Sequence, residues 1–163
     1  MEHEESALRT VAQLMLLSAR TAPKAMGKDT IVCKIASREE RGRIAVGMES
    51  IEKSNWDRDA KTIRKASELV LIGTKAIDPA EKLKCEVDAS EMEPQLRGKV
   101  PAMRMIDLGV AVGSAVKTAS IHNADNRVMW RAGVMAASLG VLEASIVIAI
   151  PLSATGKSIF FDR

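Results

Sequence analysis

The stretch from Met105 to His122, M-I-D-L-G-V-A-V-G-S-A-V-K-T-A-S-I-H, constrains this chain more than any other. It is so apolar and so rich in small residues that it reads as a buried helix at the middle of the molecule. Set at helical pitch, Asp107, Ser114 and Thr118 fall on one narrow line. Gly109, Gly113, Val116 and Ser120 line the opposite side, and Ile106, Leu108, Val110 and Val112 fill much of what lies between. Two glycines one turn apart cost a helix roughly 2 kcal/mol against alanine. The expected compensation is another backbone lying close along the groove they open. That groove has two readings: packing within the core, or a subunit seam or wall against a flat cofactor.

The remaining residues can supply the core that such a helix needs. A chain of 163 residues with 47% apolar and 28% charged residues has the balance of one domain spanning 1–163. Its net charge of +3 is the difference between 24 basic and 21 acidic residues spread along the whole length. It lacks the Lys/Arg run that a nucleic-acid or lipid surface requires. With two Trp, two Phe and no Tyr there is little on which bases could stack, so no nucleic-acid partner is expected. The longest apolar run, Ser145 to Leu152, is far too short for a membrane span and carries Pro151. The acidic opening M-E-H-E-E-S reads as neither a signal nor a transit peptide, and the expected location is cytoplasmic. Cys33 and Cys85 cannot build a disulfide framework or ligate a four-cysteine iron-sulfur cluster within one chain. His3 and His122 are too few and too far apart for a zinc site.

Taken in order, Leu8, Val11, Ala12, Met15 and Ala19 predict a first helix from Ser6 that Pro23 stops, with Gly27 turning the chain. T-I-V-C-K-I-A alternates as a strand, with Cys33 on its apolar side as a packed thiol. Ser37 and Glu40 form a capping box before a helix whose inner stripe is Ile44, Met48 and Ile51. Asp57 is expected to cap a third helix carrying Ala60, Ile63 and Ala66. E-L-V-L-I-G, ended by Gly73, reads as a buried strand. Residues 74–101 are irregular, with weak helices expected at D-P-A-E and D-A-S-E. N-A-D-N supplies turn and cap residues before a helix with Val128, Ala132, Met135, Ala136 and Leu139 on its inner face, closed by Gly140. A-S-I-V-I-A-I-P forms the final strand, and S-I-F-F-D-R is expected to add an edge strand. The fold class is α+β: a small mixed sheet of three to four strands packed with helices around a buried central helix.

Two groups of residues have binding chemistry. Gly156, Lys157 and Ser158 resemble the end of a P-loop, but Pro151 stands where its first glycine belongs and too few residues follow to build the phosphate-facing helix. The loop of Ser153, Thr155, Gly156 and Lys157 still offers hydroxyls, backbone donors and a charge suited to a small anion or phosphate; the alternative is a solvated turn. Arg20, Thr21 and Lys24 form a second basic group around Pro23, either a ligand site or residues favourable to a helix C-terminus. No catalytic triad or acid-base carboxylate pair is apparent.

R-T-A-P-K-A-M-G, W-D-R-D-A-K-T-I-R-K-A-S-E-L-V-L-I-G, I-D-L-G-V-A-V-G-S-A-V-K-T-A-S, N-A-D-N-R-V-M-W and I-P-L-S-A-T-G-K-S-I-F-F-D-R together resemble a prokaryotic family of uncharacterised ferredoxin-domain-containing proteins. The likeness covers nearly the whole chain. Family members carry a cysteine-rich segment before the central helix, implying an iron-sulfur centre. Here that segment keeps only Cys85, and Pro101 stands near the place of its last cysteine, so no cluster is expected. The order of elements is also similar to the nitroreductase fold, in which two chains form a homodimer and FMN lies at the interface against the central helices. Ala22 and Pro23 match its flavin-facing turn, Asp107, Gly109 and Ala111 its central helix, and Pro151 the proline ending its last strand. Lys24 replaces a serine, Ala149 replaces a glycine, and the Arg-Arg-Ser phosphate grip is absent.

This resemblance implies a nitroreductase-like FMN-binding redox protein, dimeric through the glycine face. Arg20, Thr21 and Lys24 would lie near the isoalloxazine, and Ser153, Thr155, Gly156 and Lys157 would hold the phosphate. The alternative is a non-catalytic interaction module that keeps the scaffold without the cofactor.

Overall fold

A computed structural model describes residues 2–75 and 86–161. The expected D-P-A-E helix and Cys85 lie outside these residues. Helix α1 (Glu2–Thr21) leads through a single 3-10 turn (Ala25–Gly27) into strand β1 (Ile31–Ile35), followed by α2 (Arg38–Glu49), α3 (Ser54–Lys65) and β2 (Glu68–Thr74). A hairpin of β3 (Glu86–Asp88) and β4 (Lys99–Pro101) encloses the short α4 (Ala89–Met92). Then come α5 (Ala102–Ile121), β5 (Asp125–Asn126), α6 (Trp130–Ser138) and β6 (Ile146–Ser153).

The main sheet has four strands in the order β1-β2-β6-β5. The α+β architecture is as expected, with one correction of detail: the sheet is antiparallel throughout and not mixed. Glu68 pairs with Leu152 and Thr74 with Ile146, while Ile31 pairs with Thr74 at the same end. Leu69 to Ile72 are buried, as a central strand covered on both faces requires. The antiparallel α1–α5 pair covers one face. Helix α6, backed by α2 and α3, covers the other, and Gly133 brings its backbone directly onto β6 at Val147. Asp59 ties this layer together: the buried carboxylate accepts from Arg131 of α6 at 2.9 and 2.7 Å and from Arg58 at 3.2 Å.

Local signals explain most boundaries. The Ser37–Glu40 capping box forms in full, Glu40 N donating to Ser37 Oγ and Ser37 N to the Glu40 carboxylate. Gly140 takes φ +64 after α6, as a C-terminal glycine should. Four expectations are corrected. Helix α3 starts at Ser54 without a side-chain cap, leaving Asp57 in its first turn. Asp125 and Asn126 pair with β6 and do not cap a helix, because the turn before them is made at Asn123, φ +53. Val128 is exposed and not on the inner face of α6. Residues 158–161 form a bend and not an edge strand, since β5 already occupies that side of β6.

Candidate functional site

The site begins where α1 ends. Pro23 cannot continue the helix, and Lys24 folds back so that its Nζ donates to the carbonyls of Ala19 and Arg20, satisfying the open end. The following turn places Met26 and Gly27 at φ +56 and +65. It is held from across the molecule. Asp107 Oδ1 accepts from Ala25 N at 2.8 Å, while Asp107 Oδ2 accepts from Arg104 Nη1 at 2.9 Å. The same Arg104 nitrogen donates to Lys28 O at 3.1 Å and Ala25 O at 3.3 Å. Arg104 is 0% exposed and Asp107 is buried, so this pair works in a low-dielectric setting.

Further along the two helices, Ser18 Oγ and Thr118 Oγ1 share a hydrogen bond of 2.6 Å. An open groove of about 330 Å³ lies beside it, lined by Ser18, Thr21, Ala22, Pro23, Ser114, Lys117, Thr118 and Ile121. Ala22, Pro23 and Ile121 give it an apolar wall, and Lys117 supplies an exposed cation. The hydroxyls bind their own helices, Thr21 to Leu17 O and Thr118 to Ser114 O, both at 3.1 Å. Ser114, Lys117, Thr118 and Ile121 were not among the candidate ligands read from the sequence. The signal was present in the Asp107–Ser114–Thr118 line, which does face α1.

The expected basic group is only partly at this groove. Thr21 lines it. Arg20 turns away to Asp29 and Ile31 O, at 2.5 and 2.8 Å, and its Nη2 lies 3.9 Å from Cys33 Sγ. Burial pushes the Cys33 thiol above its usual value and outweighs the nearby Arg20 and Lys24. Lys24 closes the helix end. Ser153 is buried, and its Oγ lies 3.3 Å from Thr155 Oγ1, which donates to Lys157 O at 2.7 Å. Thr155, Gly156 and Lys157 are exposed.

Within one chain the two groups stand apart. Arg20 binds Ile31, at the Thr74–Ile146 end of the sheet, while Ser153 ends β6 beside Asp125. Seven strand steps from Ile146 to Ser153 separate these ends by about 24 Å at 3.4 Å per residue.

The glycine face also needs correcting. The inward side of α5 consists of Arg104, Asp107, Leu108, Ala111, Ala115 and Ala119. Gly109 and Gly113 are exposed, and a Cβ at either would meet nothing within 4 Å among the described residues. Alanines, not glycines, give α5 its close approach to α1 and the sheet. The core-packing reading of the glycine groove is therefore overturned for this chain by itself. The glycines lie among exposed apolar residues at helical spacing: Met103, Ile106 at 56% exposure, Val110, and Ile121 at 65%.

Two sequence comparisons place the chain. Residues 97–163 match a family described as uncharacterized proteins containing a ferredoxin domain. An uncharacterized protein of Archaeoglobus fulgidus is 38% identical over 175 aligned positions, covering 99% of this chain and 95% of that protein. The chain belongs to this ferredoxin-domain family. Solved structures place the family member's fold. A nitroreductase family protein from Clostridium novyi superposes with a TM-score of 0.63 at 12% identity, over 93% of this chain and 78% of that one. A nitroreductase with bound FMN from Desulfitobacterium hafniense gives 0.56 at 13% identity, over 94% and 79%. Nitroreductase A from Vibrio parahaemolyticus gives 0.58 at 12% identity, where the chain spans 91% of itself but 59% of that protein. The fold is therefore nitroreductase-like. Among the described residues no three His, Cys, Asp or Glu side chains gather as a metal site, and no helix is long and apolar enough to cross a membrane.

Proposed function

We propose that this chain is an FMN-binding, nitroreductase-like redox protein that acts as a homodimer through the outward face of α5. The observation that carries the reading is the α1–α5 groove, which opens beside a glycine-notched apolar helix face that the chain itself leaves uncovered. The groove residues fit a flat, electron-poor ring: Ala22, Pro23 and Ile121 offer apolar contact, and Lys117 offers a positive charge for a reduced, anionic ring edge. When bound, the flavin supplies the hydride and electron chemistry. The chain's own part is to hold the ring and exclude water from it.

Because the Arg20–Lys24 turn and the Ser153–Lys157 loop lie at opposite ends of one sheet, the reading assigns them to different subunits around each flavin. Thr21 of one protomer would face the ring. Ser153, Thr155, Gly156 and Lys157 from the second would hold the phosphate. Arg20 and Lys24 act as positioning residues, fixing the turn through Asp29 and the end of α1.

A second reading, a non-catalytic module on the same scaffold, is favoured by the internal engagement of Lys24 and of the Ser153 and Thr155 hydroxyls. Titration of purified protein with FMN separates the two. Saturable quenching of flavin fluorescence, with one flavin per chain retained through gel filtration, supports the redox reading; unquenched flavin eluting apart from the protein excludes it. Gly113→Leu adds bulk where none of the described residues stands within 4 Å of its Cβ, so it should convert a dimer to a folded monomer and abolish flavin retention. An unchanged dimer would remove α5 from the interface.

A further inference from the structure

A second feature lies away from the α1–α5 groove, between α2, the end of α3 and the start of β2. Two cavities of about 210 and 420 Å³ share Arg38, Arg41 and Arg64 in their walls. The larger adds Lys65, Ser67, Glu68 and Glu5, and the smaller adds Gly42 and Ile63. Arg38 opens α2 and Arg41 follows one turn later, while Arg64 and Lys65 close α3, so four cations from two helices converge.

Their side-chain partners do not balance them. Arg64 makes a two-point ion pair with Glu49, at 3.0 and 2.8 Å, and Glu68 is taken by Arg9 at 3.2 Å. Arg41 Nη1 donates to the carbonyls of Ala66 and Ser67, which neutralise no charge, and its Nε is buried without a partner. Burial pulls Arg41 below its usual value; Glu68 and Glu5 oppose this, while Arg38 and Arg9 add to it. Arg38 and Lys65 form no ion pair among the described residues. Converging cations that repel one another, around a cavity, are stabilised by an oxyanion able to accept several charge-assisted hydrogen bonds. Gly42 extends the space on an uncharged side above the buried Ile63, giving room for an organic portion.

We infer that this chain has a site for a small phosphomonoester, its phosphate held by Arg38, Arg41 and Lys65 and its organic portion lying over Gly42. The inference does not rest on the flavin reading, because the Ser153–Lys157 loop lines neither cavity.

Calorimetric titration of the full chain at fixed ionic strength tests it, using inorganic phosphate, glycerol phosphate and, as control, chloride. Saturable binding of phosphate or its ester, weakened at least tenfold by Arg38→Glu or by Lys65→Glu and unchanged by Lys53→Glu at the opposite, exposed end of α3, supports the site. Tighter binding of the ester names an organic phosphate as occupant, and equal binding names free phosphate. Circular dichroism shows which variants fold, and the two exchanges sit on different helices, so one informative variant suffices. The site is overturned by no saturable binding, by chloride competing equally, or by binding that survives in folded Arg38→Glu or Lys65→Glu. Binding lost only in Lys157→Glu also overturns it and moves the anion to the β6 loop.

Discussion

Gly133→Ala probes the tightest joint in the molecule. A Cβ at this position would stand 2.0 Å from Val147 O, 2.6 Å from Val147 C and 2.9 Å from Ile148 Cα. All three are backbone atoms of β6, which is paired on both sides and cannot yield as a flexible side chain would. Restoring an ordinary 3.4 Å separation moves α6 outward by about 1.4 Å. Gaps of that order forfeit much of the contact energy along Ala132, Val134, Met135 and Ala136. Overpacking of this kind costs about 3 kcal/mol, at the upper end of its usual range. Alanine returns about 1 kcal/mol of helix propensity. The net loss of about 2 kcal/mol should lower Tm by about 4–8 °C for a domain of this size. Thermal unfolding followed by circular dichroism measures it. A variant as stable as the parent would mean that α6 does not touch β6 through backbone, and that the described layer spacing is wrong.

Two other perturbations address different joints. Asp107→Ala breaks the buried pair with Arg104 and removes the acceptor for Ala25 N, so it should cost about 3–5 kcal/mol in denaturant unfolding; a loss under 1 kcal/mol would show the clamp to be incidental. Glu40 is held below the usual carboxylate range by its hydrogen bond from Lys34 and by the Ser37 N–H. A depressed folded value stabilises the chain above the unfolded value of about 4.3 and is lost as pH falls through the lower folded value. Glu40→Gln should therefore flatten the acid side of the stability profile below about pH 4, and melts across that range giving parallel curves would refute it.

The elements that could be read from sequence are those whose signals are local. Ser37 and Glu40 lie three residues apart and cap each other, and the runs at Leu69–Ile72 and Ile146–Ile150 carry their burial in their own composition. What escaped depends on distant partners. Gly133 looks like any helical glycine until β6 is laid against it. Arg104 looks like a surface arginine, because its acceptors come from residues 25–28. The glycines of α5 admit both a core and a seam reading, since apolar composition does not say which side of a helix faces the chain's own sheet. Their alanine neighbours at 111, 115 and 119 make the inner contact. Of the candidate ligands, Thr21 reaches the groove, while Arg20 and Lys24 serve the turn itself, a division that no spacing rule separates.

The Asp107–Arg104 clamp makes the Ala22–Pro23 wall a dependent part, since the loop takes its position from the opening turns of α5. Pro101 is at once the last residue of the β3–β4 hairpin and the N-cap of that helix. The hairpin is thus the handle of a lever whose far end is the groove. Substitutions around Val87, Leu96 or Val100 should therefore shift the Ala22–Pro23 wall from a distance, and under the proposed flavin reading a screen for weakened FMN retention should return them.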